Sequence, residues 1–438
     1  MLNQWFFKRI DNSALIVFRI MFGILLVVEA WGAILTGWVK RIFIDAQFNF
    51  HFIGFDFLQA MAGEGMYAYY FLMGVVGFFV LIGYYYRFNI VLYTLMWTAV
   101  YFMQKSAYNN HYYLQVLLLI FMCLAPANRY LSFDAKRKPE IKSLSIPRWI
   151  WLFIVLQIWI VYTYASIAKL YPDWLDGTAT AYLMQHKKDY ILIGEFLQQK
   201  WVHYGIAYFG ILFDLLVIPL LLWSQTRKIV FILGVFFHLF NSIVFGIGVF
   251  PYMSLALTLF FFPTATINRI FLKRKPHYTT GEVIVPNLRK PIFAFFIAWF
   301  ILQIGLPLRH WFIKGDVLWT EEGHRLSWRM MLRTKSSSFQ MKLINITTNE
   351  VEYIQTSDYL TPKQHKMLSR PDGIWQFCQF LKKKHAVNGD EIELYVTVKV
   401  SINGKEPQLL ISPAYNMALA EWDYFWHNEW ILLPEEYK

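Results

Sequence analysis

Charge is scarce in this chain. Only 16% of its 438 residues are Asp, Glu, Lys or Arg, against about 25% in an ordinary soluble domain. That shortfall excludes a string of soluble domains as the main body of the protein. Cysteine is scarcer still: Cys123 lies in an apolar run and Cys378 in a polar tail. A disulfide-stapled fold and a thiolate zinc cluster are both excluded, and no metal is expected. There is no repeat period and no low-complexity tract. Acidic residues are outnumbered, 29 against 41 Lys and Arg, for a net charge of +12. The basic residues gather in short loops between apolar runs, as orientation charges do. No basic stripe faces a groove, so nucleic acid is not an expected partner; some attraction to anionic lipid is.

What the chain has is apolar bulk, 57% hydrophobic with 40 Phe, 27 Tyr and 18 Trp. The expected fold is a polytopic α-helical membrane protein with about nine transmembrane helices and a small β-rich or α+β extracytoplasmic C-terminal domain. The helical transmembrane, catalytic domain is placed at 1–307 and the C-terminal domain at 308–438. The spans are expected at about 14–36, 67–83, 89–104, 111–127, 149–168, 201–224, 229–249, 251–267 and 291–307. Lys8 and Arg9 precede the first apolar run, and no small-residue cleavage pattern follows it, so it reads as a span rather than a leader. With nine spans, Lys8, Arg87, Lys136, Arg137, Lys138, Arg227, Lys273 and Arg274 fall on one side, which places the N-terminus in the cytoplasm and the tail outside. An integral membrane location is expected.

The tail changes character. Phe339–Ile346 and Glu391–Val400 alternate as strands, Val351–Ile354 returns from a turn, and Asn403-Gly404 ends the clearest strand. Pro362–Lys384 reads as helical, with Met367, Ile374, Phe377 and Leu381 on one face suited to packing on a sheet.

Polar residues inside or beside the apolar runs are the candidates for chemistry. Lys169 closes the fifth span and either anchors it at the interface or, desolvated, serves as a base of lowered pKa. His111 opens the fourth span behind Asn109 and Asn110, and Asn109 also suits a helix cap. His238 and Asn241 share one face of the seventh span; His238 alone also suits a carbonyl hydrogen bond. Glu29 and Asp214 lie within spans as salt-bridge candidates with no catalytic role assigned. Spans four and five run in opposite directions, so His111 and Lys169 share the outer side.

The stretches Leu15–Gly23, Lys105–Leu114, Ala165–Leu170, Asp173–Gly177, Phe237–Ser242 and Gly246–Tyr252, followed by Leu306–His310, Ser327–Met331 and Val396–Asn403, resemble the vitamin K-dependent gamma-carboxylase family, including its bacterial members among the horizontally transmitted transmembrane-domain (HTTM) proteins. The likeness runs in order through nearly the whole chain. Animal members continue well beyond the position of Leu433-Pro434, so a short peptide pocket rather than an extended propeptide groove is expected here.

The resemblance implies an enzyme that oxidises reduced vitamin K, or a menaquinol-type relative, with O2 and adds CO2 to the γ carbon of a peptide glutamate. The products are gamma-carboxyglutamate and the quinone epoxide. It implies Lys169 as the base for the hydroquinone, His111 at the glutamate step and His238 in the same interior region. Asn109, Asn110, Asn241, Ser242 and Trp328 are the expected substrate- or cofactor-binding residues. Trp311, Trp328 and Tyr415 are candidate peptide contacts, each equally suited to the tail's core. Implied partners are a glutamate-containing peptide or protein, membrane lipid, the quinone and a quinone reductase. Two alternatives stand beside this reading: a quinone epoxidase that does not carboxylate protein, and a non-enzymatic lipid-binding or transport protein.

Overall fold

The computed structural model describes residues 2–437. Its N-terminal region is a helix bundle and its C-terminal region a sheet with a covering helix. Among the described residues, six helices are long and apolar enough to cross a membrane: Ser13–Leu35, Gly65–Ile82, Arg148–Ile167, Lys200–Leu222, Arg227–Phe245 and Arg289–Phe312. The expected nine spans are thus corrected to six. The three others fail on composition or length. Tyr86–Met103 is helical but diluted by Arg87, Asn89, Thr94, Thr98 and three tyrosines. Asn110–Leu124 and Phe250–Phe261 are apolar but short of the ~20 residues of a full crossing, and Pro263 follows the second closely. These shorter helices pack within the bundle, where their apolar faces join the main core.

Small residues let the first two long helices approach closely. A side chain at Gly74 would overlap the Trp31 indole, and one at Gly23 would meet the Leu81 backbone at 2.5 Å. Arg19, fully buried in the first helix, donates to the carbonyls of Ala127 (2.9 Å) and Leu131 (2.5 Å), tying that helix to the basic loop after Leu124. At the same end, β1 (Arg9–Asp11) pairs with β2 (Ser145–Pro147), and Lys8 bridges to Val283. Asp11 takes the Lys275 ammonium at 2.9 Å. Asp134 accepts from the amides of Tyr85 and Tyr86, each at 2.9 Å. Segments far apart in sequence, most of them rich in Lys and Arg, therefore collect at one end of the bundle.

The C-terminal region packs on the opposite end. Its sheet is antiparallel in the order β4-β3-β5-β6, where β3 is Lys335–Asn345, β4 Val351–Tyr353, β5 Ile392–Ile402 and β6 Gln408–Leu409. The β3–β5 register runs from Lys335↔Ile402 to Asn345↔Ile392. Met341, Leu343, Leu394, Val396, Val398 and Val400 face the helix Pro371–Val387, which contributes Ile374, Phe377 and Leu381. Polar contacts spread along the seam dock this region. Lys105 and Arg325 share Asp372. Asn110 donates to the Arg329 carbonyl at 2.9 Å. Asn403 donates to Asp173 at 3.0 Å. Beside Asn403, Gly404 (φ +76°) lies so close to Tyr182 that any added Cβ would overlap the phenol.

Candidate active site

Lys169 stands where the chain leaves the Arg148–Ile167 helix. Ser166 fixes the turn by donating to the Ile211 carbonyl at 3.0 Å. The lysine side chain folds back, and Nζ donates to the Ala165 carbonyl at 2.9 Å and to Asp214 Oδ2 at 2.5 Å. Both residues are buried, at 8% and 5% exposure. Gly210 lies one turn before Asp214 on the same helix face, leaving room for the lysine stem 3.9 Å from where a Cβ would stand. The lysine is therefore paired rather than isolated, and a carboxylate that sequence placed only as a salt-bridge candidate is its partner.

Asn109 caps the Asn110–Leu124 helix: its Oδ1 accepts from the Tyr112 amide at 2.7 Å. Asn110 is engaged at both ends, by the Tyr108 hydroxyl (3.0 Å) and the Arg329 carbonyl, so it does not orient the neighbouring imidazole. The ring of His111 is held instead by packing, tilted on Phe250 at 5.4 Å and edge-on to Tyr112 at 5.0 Å. Tyr112 turns away to donate to Glu29 at 2.7 Å. His238 pairs through Nε2 with the Tyr162 hydroxyl at 3.0 Å, and its buried Nδ1 has no partner.

These groups converge on one cavity of about 320 Å³. Lys169, Asp214, His111, His238, Asn109, Asn110 and Asn241 line it, with Trp174, Phe237, Phe245 and Phe250 as apolar walls. His324, Arg329, Met330, Met331 and Arg370 close it from the C-terminal region. Ser242 and Trp328 do not line it. Trp328 is 1% exposed and stacks on Tyr113 at 4.8 Å, inside the core. Trp311 is exposed and lines a neighbouring cavity, and Tyr415 lines neither. Sequence reasoning missed His324, Arg329 and Arg370. Arg329 lies inside the Ser327–Met331 stretch, but nothing local in the sequence brings Arg370 to this wall.

The cavity also meets an apolar route. A narrow space shares Tyr162 and His238 with it, and shares Phe231 and Thr258 with a groove of about 420 Å³. Met21, Ile24, Ile270 and Phe271 line that groove, and the last three are exposed apolar side chains. A molecule with a polar ring and a hydrocarbon tail matches this division between ionisable chamber and apolar groove. Among the described residues no group of three or more His, Cys, Asp or Glu side chains is placed to hold a metal ion.

An ionisable chamber between an apolar helix bundle and a polar domain defines an integral membrane protein with a built internal site. Residues 7–265 match the HTTM domain, and residues 288–436 match the vitamin K-dependent gamma-carboxylase lumenal domain. The chain belongs to this HTTM and vitamin K-dependent gamma-carboxylase family. No solved structure matches it.

Proposed function

We propose that the protein is a vitamin K-dependent gamma-glutamyl carboxylase acting on the extracytoplasmic side of a membrane. The observation that carries this reading is the convergence of Lys169–Asp214, His111 and His238 on one chamber, in a chain that carries both family domains. The γ C–H of glutamate is too weak an acid for any side-chain base. Reduced vitamin K, oxidised by O2 to its epoxide, supplies the base strength when bound.

The chain's own residues handle protons and exclude water. Transfer of one proton from Lys169 Nζ to Asp214 Oδ2, across 2.5 Å, leaves a neutral amine and a neutral acid side by side. The amine is then able to take a proton at Nζ from an acidic hydroxyl such as a hydroquinone's, whose acidity is near that of a phenol (~10). His111, packed between Tyr112 and Phe250, presents an imidazole to the same space and is assigned to the glutamate side. The Phe and Trp walls keep water from the reacting carbon, where it would quench a carbanion. CO2 then forms the new carbon–carbon bond at the γ carbon.

Sidedness follows from charge. Six crossings alone would leave β1 and the C-terminal region on one side, but the shorter helices Tyr86–Met103, Asn110–Leu124 and Phe250–Phe261 also run between the two ends of the bundle. The Lys- and Arg-rich segments gather at the end marked by β1 and β2, opposite the C-terminal region, which favours a cytoplasmic β1 and an outer chamber. A Cys placed at Val387, 87% exposed, is expected to label from outside intact cells, and one at Lys138 is not. The reverse pattern inverts the assignment.

The deciding assay is incubation of purified protein in detergent with reduced vitamin K, O2, labelled bicarbonate and a Glu-containing peptide. Carboxylated peptide and quinone epoxide are both expected. Epoxide without labelled peptide assigns the alternative of an epoxidase. Neither product, from folded protein across several quinones and peptides, overturns the reading.

A further inference from the structure

The chamber wall contributed by the C-terminal region holds more positive charge than its carboxylates balance. Glu321 is occupied by Arg333 and by Lys335 at 2.9 Å. Asp372 is occupied by Lys105 and by Arg325 at 2.7 Å. Arg329 and Arg370 line the chamber, and neither forms an ion pair with a carboxylate among the described residues. Arg370 reaches only the Met367 sulfur, at 4.0 Å, and Arg329 only His310 Nε2, at 3.4 Å, while the buried Nε of Arg329 has no partner. A guanidinium offers five donors in a planar fork suited to carboxylates. Two of them with idle donors, facing one enclosed space, form a site for an anion.

The backbone spends strain to hold Arg329 there. Leu326, Trp328 and Met331 all adopt left-handed φ, at 62°, 57° and 50°. Such residues persist where the surroundings over-determine them, and they cluster at functional sites. Here the buried Trp328 locks one side of the stretch against Tyr113, and Asn110 holds the Arg329 carbonyl. Arg329 also lines a second cavity, of about 380 Å³, beside Tyr171, Trp311 and Asp316. Trp311 is 59% exposed, so this second cavity reaches the surface of the molecule. The guanidinium stands in the wall common to both spaces.

We propose that Arg329 and Arg370 form a carboxylate clamp that receives an acidic peptide side chain from the second cavity and holds the carboxylates at the chamber. The identity of the side chain as glutamate rests on the carboxylase reading; the anion site does not. Loss of the γ proton and addition of CO2 at that carbon convert one carboxylate into a malonate-like pair. Two guanidiniums match that product charge for charge.

The test is equilibrium binding to the purified full chain in detergent without quinone, so that no turnover occurs. Three peptides are used, identical except for Glu, Gln or gamma-carboxyglutamate at one position. The Glu peptide is expected to bind ~10–100-fold more tightly than the Gln peptide, and the gamma-carboxyglutamate peptide at least as tightly as Glu. Malonate is expected to displace the Glu peptide far better than acetate does, a measurement on native protein that needs no variant. Arg329→Gln and Arg370→Gln each collapse the preference, and Arg329→Lys, which keeps the charge without the fork, retains part of it. Equal binding of the Glu and Gln peptides by native protein overturns the clamp, as does an intact preference in both Gln variants. A preference without carboxylation keeps the clamp and overturns the carboxylase reading; carboxylation without a preference does the opposite.

Discussion

Lys105 and Lys169 are both buried, both end on an aspartate oxygen, and both stand where the helix bundle meets polar chain. Their surroundings differ. Lys105 shares Asp372 with Arg325, which adds two bonds of 2.7 and 3.2 Å, and the group joins the helix Pro371–Val387 to the bundle. Burial pushes the Lys105 ammonium down to about 8, partly opposed by Asp372. Burial also works to raise the Asp372 carboxyl, but Arg325 and Lys105 outweigh it and hold the group well below the ordinary carboxylate range. Lys105 lines neither the chamber nor the cavities beside it. Lys169 has Asp214 as its one ion-pair partner among the described residues, and the pair lines the chamber. Burial and pairing are thus common to a structural weld and a candidate catalytic pair. Free space beside the pair is what separates them.

The sharpest way to break the comparison is to remove each lysine's function in turn. Lys169→Ala is expected to cut quinone epoxidation and carboxylation together, by at least ~10²–10⁴-fold, with partial rescue by a small diffusible amine. It also strands the buried Asp214 at a cost of ~3–5 kcal/mol. The companion Lys169→Met, Asp214→Leu double variant is therefore expected to regain stability while staying inactive. Near-normal epoxide from Lys169→Ala returns the residue to an anchoring role. At the other pair, Asp372→Asn strands two cations and is expected to cost ~3–5 kcal/mol in unfolding, read as a lowered thermal midpoint in detergent. Epoxide formed per folded molecule should stay close to native. A stable but inactive Asp372→Asn protein would erase the distinction.

Which lysine was which was only half legible in the sequence. Lys169 stands out because its stretch combines apolar spacing with a charge, and its neighbours resemble a family motif. Lys105 lies in another matching stretch, yet its partner is 267 positions away in sequence, and no periodicity relates the two. Asp214 was visible as a charge in an apolar helix but not as the partner, because pairing across helices depends on how they pack. The alternating strands and the face of Met367, Ile374, Phe377 and Leu381 were readable, since side-chain period fixes burial locally. The span count was not. Hydropathy windows merged Tyr86–Met103 and two short helices with true crossing lengths, whereas inside a bundle polar and short helices are covered by neighbours. Trp328 shows a related limit: an aromatic in a matching stretch suits substrate contact and core alike, and in the fold its indole packs on Tyr113 while the next residue lines the cavity.

A finer comparison lies inside the chamber, between Lys169 and His111. If the lysine serves the hydroquinone and His111 the glutamate, His111→Ala should lower the ratio of carboxylated product to epoxide by about 10-fold, at the lower end of general acid–base effects. No ion pair or capping bond of the fold is lost, so the thermal midpoint should move little. Equal ratios in variant and native protein would contradict the division of labour. Tyr162→Phe supplies the structural control. It removes the hydroxyl paired with His238 and should cost ~1–3 kcal/mol without shifting the ratio.

The smallest expected effect concerns pH. Burial drives the His324 imidazole well below its ordinary 6.5, with Arg333, Arg370 and Arg329 adding to that and Glu321 opposing it. The folded chain therefore keeps this ring neutral at a pH where the unfolded chain protonates it. The sign follows: its contribution is complete above pH 6.5 and is lost as pH falls below that value. Across the first unit below 6.5 the loss is about 1 kcal/mol for one histidine. Glu321 and Asp372, both held below their ordinary values, keep their contributions through this window and lose them only in stronger acid. His51 is lowered in the same direction and shares the window, so a single substitution removes only part of the slope. Thermal midpoints measured between pH 7.5 and 5.5 should fall for native protein and fall less for His324→Asn. Parallel curves would mean that this imidazole is not held neutral against the guanidiniums, and that the chamber's C-terminal wall is less positive than its geometry implies.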